Sequence, residues 1–117
     1  MYSNNFIIPR QDKKVTTQWL AFPLTIKKDA PFTRLEIVTF LEENNIQTRP
    51  VFSGVITKQK GFEHITYRSV QKDFPVTQAI MERGFLIGCH QGLEEKHLKK
   101  IKDVFTAFLK TKIKKSK

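Results

Sequence analysis

The chain has 117 residues, of which 39% are hydrophobic and ten are phenylalanine, so it holds enough apolar material for one domain with one core. No apolar run approaches the ~20 residues of a membrane span, and the first residues lack the charged start and apolar centre of a signal peptide. The single cysteine, Cys89, excludes an internal disulfide and a cysteine-rich metal site. These features predict a cytoplasmic protein.

The first third of the chain predicts an arm, a strand and a helix. Residues 1–17 have little periodicity and are predicted to be an N-terminal arm or linker. Residues 19–26 form a predicted strand that is apolar on both faces, in which Pro23, having no N–H, favours a sheet edge or a bulge. Residues 31–45 form a predicted helix in which Thr33 and Glu36 have capping-box spacing. Its predicted apolar stripe is Leu35, Val38 and Leu41, widened by Ile37 and Phe40.

The rest of the chain predicts a second strand at 46–51, an irregular loop at 55–73, a short helix at 74–84, a strand at 85–90 and a long helix at 93–112. Gly84 is the predicted left-handed residue that ends the short helix. The predicted buried stripe of the short helix is Val76, Ala79 and Ile80, and that of the long helix is Leu98, Ile101, Val104, Phe105, Phe108 and Leu109. This order predicts an α+β fold with a small antiparallel or mixed sheet covered by helices.

Arg49 stands in a segment that predicts a short strand ending in a turn. Pro50 holds Arg49 in extended backbone, and Ser53 with Gly54 closes the turn. A guanidinium fixed at a strand end is suited to binding a phosphate or a carboxylate. The alternative interpretation is an ordinary surface ion pair.

The net charge of +10 is concentrated at the C-terminal end, in Lys110, Lys112, Lys114, Lys115 and Lys117. Such a tail could bind nucleic acid or another polyanion by non-specific electrostatics. The other interpretation, which we favour, is a solvated helix end that complements the helix dipole, because no aromatic platform or nucleic-acid motif accompanies the charge.

No complete catalytic constellation is recognisable, so we assign no catalytic residue and no metal site. Cys89 and His90 are adjacent on a predicted strand and therefore point to opposite faces. His64 has no partner at metal-ligand spacing. From the residues alone, the chain is predicted to be a binding or supporting domain.

Four stretches in one order resemble a known family: residues 19–25, residues 45–54, residues 74–77 and residues 84–93. Together they are similar to the C-terminal small domain of the DegT–StrS family of PLP-dependent sugar-nucleotide aminotransferases. Among these, the branch of CDP- or GDP-4-keto-6-deoxyhexose 3-dehydratases is the most similar. The resemblance covers roughly residues 18–110, which we take as the aminotransferase-like small domain, with residues 111–117 as a basic tail.

The resemblance implies a small domain of a fold-type I PLP enzyme of deoxysugar and lipopolysaccharide O-antigen biosynthesis. The cofactor PLP, and the lysine or histidine that serves it, would lie in a large domain or second subunit, so this chain alone is expected to lack the cofactor site and to be inactive. A nucleotide sugar is the implied substrate. An uncovered apolar face that includes Phe6, Trp19 and Phe22 is also expected.

Residue by residue, the resemblance implies a substrate-binding group of Arg49, Ser53, Gly54, Lys58 and His90. The chain departs from the family after Gly54, because dehydratase relatives tend to have Gly-Asn-x-Thr-Arg-Gln-Pro where residues 54–60 have Gly-Val-Ile-Thr-Lys-Gln-Lys. The exchange removes an amide and replaces a planar guanidinium with an ammonium, so a weaker or different grip on the substrate is expected.

Overall fold

Four antiparallel strands form one sheet in the order β1-β2-β4-β3. The computed structural model describes residues 2–71 and 73–115, with side chains as far as Lys112. The strands are β1 (Phe6–Ile7), β2 (Ala21–Ile26), β3 (Thr48–Pro50) and β4 (Gly84–Gly88). The α-helices are α1 (Tyr2–Asn5), α2 (Arg34–Glu43), α3 (Pro75–Arg83) and α4 (Glu95–Lys115), and short 3-10 turns lie at Ile56–Lys58 and Lys60–Phe62. The predicted α+β class is confirmed, and the sheet is antiparallel.

The register places the apolar residues of neighbouring strands on one face of the sheet. Leu24 lies opposite Phe85, and Thr48 lies opposite Ile87. Residues directly opposite each other in an antiparallel pair share a face, and the side chains of these four are buried. Helices α2 and α4 contribute Ile37, Leu41, Phe105, Phe108 and Leu109 to the same core.

Pro23 has a neighbouring strand on one side only. It pairs with Leu86 of β4, whereas β1 pairs only with Thr25 and Ile26. A proline cannot donate to a sheet ladder, so it is tolerated where one side of its strand is free. β2 is an inner strand of the sheet, but among the described residues its flank at Pro23 is unpaired, which gives Pro23 an edge-like position.

The predicted capping box starts helix α2. The Thr33 backbone N–H donates to Glu36 Oε2 at 2.7 Å, and the Glu36 backbone N–H donates to Thr33 Oγ1 at 3.3 Å. The helix ends at Asn44, and Asn45 has a φ of 58°. Asparagine tolerates this left-handed conformation better than most residues, so the chain turns there into β3.

Three leucine and valine positions of the predicted apolar stripes are exposed: Leu35 (73%), Val76 (73%) and Leu98 (55%). Ile37 and Leu41 define the core face of α2, and Leu35 lies two residues, or about 200°, away from Ile37 around the helix. Leu98 is in the first turn of a 21-residue helix. That helix is about 30 Å long and extends beyond a sheet whose longest strand has six residues.

Phe6 is a core residue, so its predicted place on an uncovered apolar face is wrong. Its side chain is 3% exposed, and its ring contacts those of Phe32, Phe85 and Phe105 at centroid distances of 5.7, 6.3 and 5.9 Å. The predicted arm therefore contributes a strand and a buried aromatic ring to the domain. Trp19 and Phe22 are half-buried and contact each other.

Gly84 is not the left-handed terminator that was predicted for the short helix. Its φ of −84° and ψ of 143° are extended, and it is the first residue of β4. A β carbon at this position would lie 2.5 Å from the Ile80 carbonyl oxygen and 3.1 Å from Val51 Cγ2. Gly84 is needed for close packing of α3 on the strands, and not for a positive φ.

Candidate functional site

Arg49 lies at the mouth of an open cleft of about 410 Å³ between the start of α2 and the end of β3. Thr48 is buried, whereas Arg49 is exposed, because alternate residues of a strand point to opposite faces. The walls of the cleft include Arg34, Val38, Thr48, Arg49, Glu82 and Phe85. The lining thus combines apolar side chains with two guanidinium groups and one carboxylate.

Local hydrogen bonds orient the Arg49 guanidinium. Its Nη1 donates to the Thr48 carbonyl oxygen at 2.8 Å. With the Gln47 amide oxygen turned toward it, Nη1 and Nη2 also donate to that oxygen at 3.3 and 2.6 Å. These contacts use three of the five N–H donors of an arginine. Among the described residues, the other two N–H groups have no partner and are available to an anion.

Glu42 holds the start of β3 against helix α2. Its Oε1 accepts from the Thr48 backbone N–H at 2.5 Å and from Thr48 Oγ1 at 2.7 Å. These two bonds, and then the positive charge of Arg49, lower the pKa of the Glu42 carboxyl. Glu42 consequently holds both the backbone N–H and the hydroxyl of Thr48, which fixes the backbone that carries Arg49.

Arg34 is a second cationic residue of the cleft that sequence reasoning did not single out. Its Nη1 donates to the carbonyl oxygens of Met81 at 2.7 Å and of Gly84 at 3.2 Å. These bonds tie the start of α2 to the end of α3. A cation in the first turn of a helix interacts unfavourably with the helix dipole. This unfavourable position is the sequence signal that could have indicated partners for Arg34 elsewhere in the fold.

The turn that contains Ser53, Gly54 and Lys58 packs on α3, away from the Arg49 cleft. The Ser53 carbonyl oxygen accepts from Gln59 Nε2 at 2.6 Å. Lys58 Nζ donates to Gln78 Oε1 at 2.7 Å, beside a separate recess of about 130 Å³. Of this predicted group, Arg49 alone lines the larger cleft.

His90 lies toward the other end of the sheet from Ser53. β3 is antiparallel to β4, with Thr48 opposite Ile87 and Pro50 opposite Phe85. The turn after Pro50 is therefore near the start of β4, whereas His90 follows the end of β4. The His90 Nδ1 accepts from the Gly92 backbone N–H at 3.1 Å. Within this domain, His90 and the turn at Ser53 do not form one cluster.

One lysine of the basic tail is used inside the fold. Lys112 Nζ pairs with Glu36 Oε1 and lies 5.3 Å from the centroid of the Phe108 ring. This contact joins α4 to the start of α2 and does not leave the ammonium free for a polyanion. Lys110 is exposed. The side chains of Lys114, Lys115 and Lys117 are outside the part of the chain that the structure describes.

Comparison with known proteins identifies the family of this chain. The family model of the DegT/DnrJ/EryC1/StrS aminotransferases matches residues 2–106. The chain belongs to this family. The resemblance predicted from the four sequence stretches is thereby confirmed.

Three curated relatives are similar over most of this chain. The lipopolysaccharide biosynthesis protein RfbH of Salmonella typhimurium is 35% identical over 101 residues, which are 86% of this chain and 23% of RfbH. A dTDP-4-dehydro-2,6-dideoxy-D-glucose 3-dehydratase of Saccharopolyspora spinosa is 33% identical over 78% of this chain and 20% of its own length. A GDP-4-keto-6-deoxy-D-mannose 3-dehydratase of Yersinia pseudotuberculosis is 28% identical, over 78% of this chain and 23% of its own length. The chain therefore spans less than a quarter of each relative.

The fold is similar to part of a solved 3-dehydratase. The E. coli GDP-4-keto-6-deoxy-D-mannose-3-dehydratase with bound hydrated PLP superposes with a TM-score of 0.75 and 20% identity, over 86% of this chain and 25% of that chain. The predicted architecture, a small domain of PLP-enzyme type, agrees with this likeness.

Burial does not single out a PLP-binding lysine or aspartate among the described residues. A Schiff-base lysine reacts as a neutral amine, which burial favours by lowering the lysine pKa. Throughout 2–71 and 73–112, every lysine is exposed or half-exposed, and so are the aspartates that could face a pyridinium nitrogen. The same part of the chain contains no cluster of three or more His, Cys, Asp or Glu that could hold a metal ion. None of its helices has the length and apolarity needed to cross a membrane.

Proposed function

We propose that this chain is the small-domain part of a PLP-dependent 3-dehydratase or aminotransferase that acts on a nucleotide-linked deoxysugar. In this proposal residues 18–110 supply one wall of the substrate cleft. A larger domain or second subunit supplies PLP and the reacting groups. The observation that carries the proposal is the oriented Arg49 guanidinium at the mouth of a 410 Å³ cleft. The family match and the relatives named as 3-dehydratases support it.

Arg49 binds the anionic part of the nucleotide sugar in this proposal. Two guanidinium N–H groups in one plane suit two oxygens of a phosphate, and such charge-assisted bonds are stronger than neutral ones. Thr48 and Gln47 hold the guanidinium, so little side-chain entropy is lost on binding. The role of Arg49 is therefore binding and orientation of substrate, not proton transfer.

The departure from the family after Gly54 has a local structural basis that supports a reduced grip there. Val55, which stands where dehydratase relatives tend to have asparagine, is 6% exposed and is therefore a packing residue. The ammonium of Lys58 bonds to Gln78. We infer that the turn with Ser53, Gly54 and Lys58 packs on α3 outside the Arg49 cleft, and that Arg49 provides most of the electrostatic attraction.

The test is reconstitution with the large domain of a relative. The chain is mixed with PLP and with a polypeptide comprising RfbH without the region that matches this chain. Association is followed by size-exclusion chromatography, cofactor binding by visible absorbance, and turnover with a nucleotide 4-keto sugar. We expect a complex that binds PLP and turns over substrate.

The Arg49 role is tested in the same complex with Arg49→Ala and, as a matched control, Lys60→Ala, which removes an exposed cation of the neighbouring loop. Arg49→Ala is expected to leave association and PLP absorbance intact and to raise KM at least tenfold, because a charge-assisted pair contributes about 1.5–3 kcal/mol. Lys60→Ala is expected to leave association, PLP absorbance and KM unchanged. Failure of the chain to associate, or equal KM values for the two variants, would overturn the proposal.

A further inference from the structure

Phe52 combines two features that folding alone does not explain. Its side chain is 86% exposed, and its φ is +41°. A positive φ is unfavourable for any residue other than glycine, and a bulky aromatic residue there is a genuine outlier. Backbone strain of this kind persists where the surroundings impose it, and it is concentrated at binding sites.

The turn around Phe52 is held from both sides. The Phe52 N–H donates to the Pro50 carbonyl oxygen at 3.1 Å, and the next carbonyl, that of Ser53, accepts from Gln59 at 2.6 Å. Gly54 has a φ of +66° and lies so close to α3 that an added β carbon would be 2.5 Å from Met81 Cγ. The turn is thus rigid, and it displays the Phe52 ring to solvent in place of burying it.

The groups beside the ring define the ligand chemistry. Arg49, with two N–H groups available, is three positions away on the same strand end, and the exposed Ser53 hydroxyl follows directly. A protein-docking surface is typically a contiguous apolar patch, whereas along the chain Phe52 follows a cationic residue by three positions and directly precedes a serine. An exposed aromatic ring and a guanidinium that are three positions apart have Cα atoms within about 11 Å of each other. This separation suits a nucleoside diphosphate, whose base stacks on aromatic rings while its phosphates bind cations.

We propose that Phe52 is the stacking platform for the nucleobase of the sugar nucleotide whose diphosphate binds Arg49. This inference rests on the proposed function, which it deepens by assigning the base. Stacking uses the π-face that every base has, so it tolerates different bases. The platform therefore accepts both a purine and a pyrimidine diphosphate, and base identity is not read at this residue.

The experiment measures binding of three probes to the 117-residue chain by two-dimensional NMR titration: GDP, dTDP and inorganic pyrophosphate. The variants are Phe52→Ala, Phe52→Tyr and Arg49→Ala, and Tyr67→Ala serves as a control that removes an exposed aromatic ring from another loop. We expect both nucleotides to bind more tightly than pyrophosphate. Phe52→Ala should weaken both nucleotides roughly 5- to 150-fold, the range reported for loss of one base–aromatic stack, and leave pyrophosphate unchanged.

The controls give the other expected results. Phe52→Tyr keeps a ring and should retain nucleotide affinity, Tyr67→Ala should match the unaltered chain, and Arg49→Ala should weaken all three probes. Nucleotide binding that is unchanged in Phe52→Ala overturns the platform, and leaves the proposed function standing if Arg49→Ala still weakens every probe. Loss of large-domain association in Phe52→Ala, with unchanged nucleotide affinity, also overturns it and makes Phe52 a docking residue. Absence of binding of all three probes overturns both the platform and the Arg49 cleft.

Discussion

Gly54 is the position at which a single added methyl group should be most informative about the turn. Its φ is +66°, and an added β carbon would lie 2.5, 2.6 and 2.9 Å from Met81 Cγ, Cβ and Sδ. Favourable contacts between carbon atoms are at about 3.5–4.0 Å. Because Met81 Cβ is held by the helix backbone, a rotamer change of Met81 does not relieve the whole clash.

The expected cost of Gly54→Ala has two parts. A non-glycine residue in left-handed backbone costs about 1–2 kcal/mol, and an extra methyl group in a packed site costs about 1–3 kcal/mol. The smaller conformational entropy of the unfolded alanine chain offsets about 0.4–1 kcal/mol of this. The net loss in the free energy of unfolding is therefore about 1 to 4.6 kcal/mol.

Urea unfolding followed by circular dichroism measures this loss. The urea midpoint should fall while the m-value, which reports the surface exposed on unfolding, stays constant. Gly61→Ala is the matched control, because an added β carbon there meets no atom within 4 Å, and it should change stability by no more than about 0.5 kcal/mol. In a Met81→Ala background, Gly54→Ala should cost less, since Cγ and Sδ are gone. The reasoning is refuted if Gly54→Ala and Gly61→Ala have the same midpoint.

Three further predictions concern other parts of the molecule. Lys112 and the helix cap lower the pKa of Glu36 from 4.5 to about 2, so its contribution to stability is complete above about pH 4.5 and is lost as the pH falls toward 2. Glu36→Gln should therefore flatten the fall of the urea midpoint over that interval, and an unchanged pH profile would contradict this. Leu41→Ala, at a fully buried site, should cost about 2–5 kcal/mol in urea unfolding, whereas Leu35→Ala should stay within about 0.5 kcal/mol; equal losses would refute the corrected core face of α2. Phe52→Gly should raise the free energy of unfolding by up to about 1 kcal/mol by relieving a positive φ, and a lower urea midpoint would show that this backbone is not strained.

Local signals in the sequence predicted those parts of the fold that depend on neighbours along the chain. The capping box of Thr33 and Glu36 and the edge-like position of Pro23 each follow from the chemistry of one or two residues. The errors at Leu35 and Leu98 arose because a stripe of apolar residues defines a helix face, but not which part of that face meets the sheet. Phe6 was misplaced because its two-residue strand is too short to give a periodic pattern.

The candidate site was predictable only in part, for a similar reason. Arg49 stood out because Pro50 restricts the backbone beside it. Arg34 did not, because its role depends on carbonyl groups of Met81 and Gly84, about 50 positions along the chain. The left-handed backbone of Phe52 was not foreseeable, since no turn motif places a phenylalanine at positive φ. This backbone conformation becomes visible only in the folded chain.

The prolines of the sheet have a consequence for how the domain can associate with other chains. Along the free flank of β2, Pro23 has no N–H to offer, and on the outer strand β3 the last residue is Pro50. An incoming strand would lack a donor at each of these places, and β3 itself has only three residues. Addition of a strand beside Pro23 or Pro50 is therefore disfavoured, and association with another chain at these places is expected to use side chains on the faces and loops.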